Sequence, residues 1–340
     1  MVTRVRVARE IARRWVAEVG SGLPGFGGAF LTGSVLWSPA DAVLATSSDV
    51  DVMVVLDVAE PPIKPGKLRY GGVLLEISYM SGERLASAED VLGDYHLAGS
   101  FHLPGVLADP SGRLTALHEV VAREFADRRR VLRRCGAAMD VVRRGIAGMD
   151  EATPPVDQVM SWLFGTGVTT HVLLVAGLRN PTVRRRYEAV RELLDVHGML
   201  DRHERLLELL GCGALGAARV AGHLDVLERV FDAAKDVRAA SYPFSSDISQ
   251  AARPLSIDGS RELIARGLHR EAVFWLVATY ARCLKKLSLA GAPTGPYEEG
   301  FRALLADLGA ETFADRRQRG QRVLDALPDL WHTAETLAPA

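Results

Sequence analysis

The feature that most constrains the fold is a change in hydrophobic period near residue 112. Before it, short runs at 29–34, 49–56 and 73–80 have the length and the β-branched composition of strands. After it, apolar residues recur at helical spacing in stretches separated by Pro and Gly clusters. We therefore predict an α+β protein, with a mixed-sheet domain and flanking helices over residues 1–112 and an all-α helical bundle over residues 113–340.

Local patterns add detail to the first domain. Apolar residues at helical spacing predict an opening amphipathic helix that buries Val7, Ile11, Trp15 and Val19. Ser87 begins an S-x-x-D pattern that is typical of a helix start. The prolines and glycines of "PPIKPGKLRYGG", residues 61–72, predict a loop between two strands.

Composition excludes several function classes. The formal net charge is −1, so we expect neither a basic surface for bulk nucleic-acid binding nor a membrane-seeking face. The chain has three widely spaced cysteines and no uninterrupted apolar window of membrane-spanning length. We expect a protein of a reducing compartment, the cytoplasm, without a membrane partner.

Two aspartates stand at the mouth of the valine-rich run at 49–56. Residues i and i+2 of a strand share a face, so Asp49 and Asp51 project together while Val50 and Val52 point into the core. Two adjacent carboxylates will not both stay ionised without a cation. Magnesium prefers carboxylate, water and phosphate oxygens, and it resolves this conflict.

Glu76 provides a third acid, flanked by Leu74, Leu75 and Ile77. If its strand lies beside the aspartate strand, Glu76 can face the same cluster. Three carboxylates at one sheet edge suit a site for two Mg²⁺ ions that carries out phosphoryl or nucleotidyl transfer.

A Gly-Ser pair precedes the acids. Gly33 lets the backbone approach a phosphate closely, and Ser34 can donate its hydroxyl to a phosphate oxygen. A helix that begins here would add backbone amides to an anion site.

The ordered set "LTGSVLW…SSDVDVMVVL…LLEISY" resembles the nucleotidyltransferase superfamily that includes DNA polymerase β and the aminoglycoside nucleotidyltransferases. The resemblance covers about 50 residues, and 14 residues separate Ser34 from Asp49, a few more than is usual in the family. It implies that Asp49 and Asp51 are metal ligands and that Glu76 is a ligand or the general base. It also implies nucleotide contacts by Gly33, Ser34 and Ser48.

The resemblance is greatest to antibiotic-modifying adenylyltransferases, which implies transfer of AMP from ATP to a hydroxyl of a small acceptor such as an aminoglycoside-type antibiotic. Two alternatives stay open: modification of a protein or a tRNA, as in a toxin, and a non-catalytic nucleotide-binding regulatory module. In the helical domain, Arg184, Tyr187 and Lys285 are candidates for phosphate or base contacts. For each of these three residues a structural role is the competing interpretation.

Overall fold

The computed structural model describes residues 3–340. It divides into two compact units, of which the first ends at Arg134 and the second begins at Cys135. The predicted α+β class is confirmed, because the strands of the described residues belong to the first unit and helices make up the second.

The first unit contains a mixed sheet of five strands within the described residues: β1 (Phe26–Thr32), β2 (Val50–Leu56), β3 (Gly66–Tyr70), β4 (Val73–Ser81) and β5 (Val106–Ala108). Their order across the sheet is β3-β4-β2-β1-β5. Strands β2 and β4 are parallel, and the other neighbouring pairs are antiparallel. The prediction of a loop over residues 61–72 was wrong for β3, which is a short edge strand enclosed by prolines and glycines.

Helices cover both faces of this sheet: α1 (Val5–Glu18), α2 (Gly33–Trp37), α3 (Ala88–Gly93), α4 (Leu97–His102) and α5 (Arg113–Glu124), with 3₁₀ turns at Gly20–Gly22 and Gly82–Leu85. Helix α1 packs on one face of the sheet, against strand residues such as Val52 and Ile77. Helices α3, α4 and α5 pack on the other, around Phe30 and Met80. The first compact unit therefore extends beyond residue 112, because α5 contributes apolar side chains to its core.

The opening helix is confirmed, but its predicted buried face is only partly right. Ile11 and Trp15 are buried, whereas Val7 and Val19 are 44% and 46% exposed. The helix instead places two alanines, Ala8 and Ala12, against the sheet, and their small side chains allow a close approach.

The second unit is a helical bundle. Helix α6 (Arg128–Ala147) runs across the boundary, and the rest are α7 (Pro155–Ala176), α8 (Arg186–Val196), α9 (Leu200–Leu210), α10 (Ala217–Ala234), α11 (Gly259–Ala265), α12 (His269–Leu289), α13 (Gly295–Asp307), α14 (Phe313–Asp325) and α15 (Leu327–Leu337). A 3₁₀ turn at Ser245–Asp247 and a π-helical turn at Pro254–Asp258 precede α11.

Helix α7 is the centre of this bundle. It contacts α8, α9, α12, α14 and α15. Among the described residues it is the one helix long and apolar enough to cross a membrane, and 83% of its most apolar window is buried inside the structure. This degree of burial is typical of the core helix of a globular domain.

Candidate metal centre

Strand register aligns four polar side chains in one row across the sheet. Thr32 on β1 lies opposite Asp51 on β2, and Asp51 lies opposite Glu76 on β4. Glu76 in turn lies opposite Lys67 on β3. Residues paired across strands point to the same face, so the row is continuous from β1 to the sheet edge.

The three predicted acids converge. Asp49, Asp51 and Glu76 each offer a carboxylate oxygen, and these oxygens lie within 4.8 Å of one another. Asp49 lies directly before β2, two residues from Asp51. Val50 and Val52, which alternate with the two aspartates, are fully buried in the core. The predicted meeting of three carboxylates on one sheet face is therefore confirmed, while their roles in catalysis stay predictions.

Asp51 lies in the least favourable position for a carboxylate. Burial raises its pKa well above the usual range, and the charges of Asp49 and Glu76 raise it further. Carboxylates this close repel one another in a poorly solvated site. A cation between them would remove that cost.

Two lysines supply positive charge to the cluster. The Lys67 ammonium donates to Asp49 Oδ2 at 2.5 Å and also to Glu76. Lys64, in the loop before β3, donates to Glu76 Oε1 at 2.5 Å. Burial opposes ionisation of Glu76, but the two ammonium groups outweigh it and lower its pKa to about 2. With all three carboxylates ionised, the two ammonium groups would leave one formal negative charge.

Gly33 joins the Gly-Ser pair to the acid cluster. Its φ is +66°, a left-handed conformation that favours glycine. A Cβ built on Gly33 would stand 2.0 Å from Asp51 Oδ2, so no other residue fits there without displacing the carboxylate. The two motifs, 18 positions apart, thus form one site.

The serines lie near this junction. A helix begins at the Gly-Ser pair, and this helix, α2, is five residues long. Ser34 is exposed at its start, and Ser48 is half-buried in the turn before Asp49. Thr32 Oγ1 accepts a hydrogen bond from Ser100 Oγ at 2.8 Å, which fixes the end of β1 to α4. Nucleotide contacts by Ser34 and Ser48 stay predictions.

The three candidates of the helical domain lie in the second unit. Tyr187 is fully buried against Phe274, and burial raises the pKa of its phenol. Lys285 Nζ pairs with Asp157 Oδ2 at 2.7 Å, and Arg184 is half-buried before α8. Tyr187 thus has a core position, and Lys285 already has an acidic partner within its own unit.

Sequence reasoning missed Lys64 and Lys67. Both lie in the segment predicted as a loop, where an exposed lysine would be unremarkable. A signal was available in the composition, because the chain contains five lysines among 41 basic residues and two of the five lie in "KPGK". The ammonium group of lysine is more compact than the planar guanidinium group of arginine, so it fits more easily between two carboxylates.

The residues present fit a divalent cation. The donor set consists of carboxylate oxygens, which are hard ligands of the kind that Mg²⁺ and Mn²⁺ bind. The Lys67 ammonium already stands between Asp49 and Glu76, so a positive charge is stable at this position. Chemically, such a donor set can bind a divalent metal ion on the sheet face where Gly33 lies next to Asp51.

No family model and no curated protein matches this chain. Among solved structures, it is similar to a nucleotidyltransferase-like protein from Exiguobacterium sibiricum 255-15. The match has 13% sequence identity, covers 76% of this chain and 92% of that one, and has a TM-score of 0.29. A TM-score of 0.29 does not establish a shared fold or a shared activity.

Proposed function

We propose that this protein is a metal-dependent nucleotidyltransferase that moves a nucleoside monophosphate from a triphosphate, AMP from ATP, to a hydroxyl group. One observation carries the proposal: three carboxylates converge within 4.8 Å, and the Gly33 backbone approaches one of them, Asp51, so closely that a side chain is excluded. The sequence resemblance described above supports the same activity.

Asp49, Asp51 and Glu76 would hold the metal. When bound there, Mg²⁺ would neutralise phosphate charge and favour the ionised form of the attacking hydroxyl. Gly33 brings the backbone of the Gly-Ser pair next to Asp51, and Ser34 would donate a hydrogen bond to a triphosphate bound there. The row of strands holds these groups on rigid elements, so their geometry is set before the substrate binds.

The reaction is an in-line displacement at the α-phosphorus. The acceptor oxygen forms a bond to phosphorus, the bond to the bridging oxygen breaks, and pyrophosphate leaves. The hydroxyl proton passes to a carboxylate of the cluster. We propose a small hydroxylated acceptor of the aminoglycoside type, a class that follows from the resemblance alone.

A second candidate is a nucleotide-binding regulatory module without turnover. The ion pairs of Lys64 and Lys67 favour it, because they neutralise most of the cluster without any metal. The two candidates differ in whether bound nucleotide is cleaved.

Pyrophosphate release tests the proposal. The protein is incubated with Mg²⁺, each nucleoside triphosphate and a panel of aminoglycosides, other hydroxylated molecules, tRNA and protein acceptors. We expect release that falls by about 10²-fold or more in Asp51→Asn and in Glu76→Gln. Asp57→Asn is the matched control, since Asp57 follows the other end of β2 and pairs with Arg113 on the surface.

The outcomes separate the candidates. Calorimetric binding of MgATP without turnover on any acceptor would support the regulatory module. Full activity after replacement of both Asp49 and Asp51 by asparagine would refute the proposed role of the cluster. Radiolabelled product on tRNA or protein would assign the acceptor to those classes.

A further inference from the structure

Three carboxylate oxygens of the acid cluster already accept hydrogen bonds from lysine. Lys67 contacts Asp49 Oδ2 and Glu76 Oε2, and Lys64 contacts Glu76 Oε1. Both oxygens of Glu76 and one oxygen of Asp49 are therefore hydrogen-bonded to an ammonium group. A divalent cation that uses these oxygens as ligands must displace those hydrogen bonds, since an ammonium proton and a metal ion compete for the same lone pairs.

The position of the lysines limits where they can go. Lys67 is on edge strand β3, directly opposite Glu76, and its side chain is only 7% exposed. Lys64 precedes β3 in the loop, and its side chain is 20% exposed. When displaced, the Lys67 ammonium on its four-carbon stem stays within a few ångströms of the cluster, because the β3–β4 ladder fixes its backbone, and Lys64 is three residues away along the chain. A displaced ammonium would face any anion that enters with the cation.

We propose that Lys64 and Lys67 form an exchangeable counter-ion pair: they hold the acids together in the cation-free protein and, once displaced by the cation, contact the phosphates of the nucleotide. This inference rests on the proposed function and names two positioning residues for it. Lysine suits both states, because its ammonium group is compact, strongly charged and free to rotate about its stem.

The proposal predicts opposite effects on two ligands. Removing a lysine charge removes a competitor, so Lys67→Gln should bind Mn²⁺ alone more tightly, by roughly fivefold to tenfold. The same change removes a phosphate contact, so the complex of Mg²⁺ with a non-hydrolysable ATP analogue should bind roughly tenfold more weakly. A lysine with only a structural role would not produce this reversal.

The experiment measures Mn²⁺ affinity by electron paramagnetic resonance and analogue affinity by calorimetry. The proteins are the full chain, Lys67→Gln, Lys64→Gln and the control Arg69→Gln, in which an exposed charge is removed from the same strand. Thermal unfolding verifies that each variant is folded. Lys64→Gln keeps the test decisive if Lys67→Gln does not fold, because Lys64 lies outside the strand.

Opposite changes in the two affinities, absent in Arg69→Gln, would support the exchange. Unchanged or weaker Mn²⁺ binding in both lysine variants would overturn it while leaving the metal site intact. If the wild-type chain and every variant fail to bind Mn²⁺, the proposed metal-dependent function itself fails, which is a distinguishable result.

Discussion

Gly33 and Asp51 are in contact across the β1–β2 ladder, where the carboxylate occupies the space that a side chain on residue 33 would need. A Cβ there would stand 2.0 Å from Asp51 Oδ2 and 2.8 Å from its carboxyl carbon. The left-handed backbone of residue 33 adds a second reason for glycine. Gly33 therefore both begins α2 and leaves the Asp51 carboxylate its position in the acid cluster.

We expect Gly33→Ala to reduce Mn²⁺ affinity and pyrophosphate release by about tenfold or more, because the new methyl group displaces the Asp51 carboxylate. Gly72→Ala is the matched control. Its φ is +82°, and nothing lies within 4 Å of the Cβ that would be added. Both variants should lose about 1 kcal/mol of stability from backbone strain, but only Gly33→Ala should lose function. Equal functional loss in both would contradict the contact argument.

Asp51→Asn should make the cation-free protein more stable. The substitution replaces a half-buried carboxyl group, whose ionisation is opposed by burial and by the charges of Asp49 and Glu76, with a neutral amide, which we expect to raise the free energy of unfolding by roughly 1 kcal/mol in EDTA. Mg²⁺ should stabilise the wild-type chain by mass action and should not stabilise the variant. Thermal unfolding with and without Mg²⁺ measures both effects. A variant that is less stable in EDTA would count against electrostatic strain at Asp51.

Glu188 is a buried carboxylate of the second unit, 3% exposed, that pairs with Arg185 and with Arg266 Nη1 at 2.7 Å. Burial opposes its ionisation, but the two guanidinium groups outweigh it and lower its pKa. We expect Glu188→Gln to cost about 1–2 kcal/mol at pH 7, because the buried carboxylate loses its charge-assisted hydrogen bonds while the two arginines, 43% and 44% exposed, remain solvated. Urea unfolding measures this loss.

The pH dependence follows from the sign of that shift. A lowered folded-state pKa stabilises the protein above the unfolded value, about 4.3, and the contribution is lost as the pH falls through the folded value. The difference between wild type and Glu188→Gln should therefore shrink below about pH 4. Glu262→Gln is the control, since its carboxylate is 55% exposed and 3.9 Å from Arg266, so it should change stability by less than about 0.5 kcal/mol.

The orientation of α1 can be tested with two truncations of similar chemistry. Ile11 is 7% exposed against the sheet, and Val7 is 44% exposed. Ile11→Ala should destabilise by about 2–4 kcal/mol through lost burial and a cavity, whereas Val7→Ala should stay within about 0.5 kcal/mol. Chemical unfolding curves of the two variants decide the point. A large effect at Val7 would mean that the helix presents the other face to the core.

The sequence was sufficient for the fold class and for the pairing of Asp49 with Asp51, and the reason for the second is geometric. Alternation along a strand places Asp49 and Asp51 on one face whatever else the sheet contains. The position of Glu76 beside the aspartates does not follow from local sequence. It depends on the pairing of β2 with β4, which places Glu76 opposite Asp51 although these strands are not consecutive in the chain. Strand order and register depend on contacts between distant residues, which local patterns do not encode.

Other features were hidden because local signals pointed elsewhere. Pro61, Pro62 and Pro65 predict a loop, so β3 and its Lys67 were missed although the strand forms by pairing with β4. Val7 and Val19 fit a helical period with Ile11 and Trp15, yet in the structure Ala8 and Ala12 are buried in their place. In the second unit, the periodic stretches predicted helices but gave no order of packing, and the central place of α7 follows only from its contacts.

The connection between β2 and β4 has a consequence for how this site can change. Parallel neighbours require the chain to recross the sheet, and here the returning segment brings Lys64 and Lys67 beside the acids. The positions of the carboxylates are thus set by the central strands β2 and β4, while the positive charges that face them come from the segment that connects these strands. Insertions, deletions or substitutions in that connector would therefore change the charge that faces the three carboxylates, while β2 and β4 keep the strand positions of the acids.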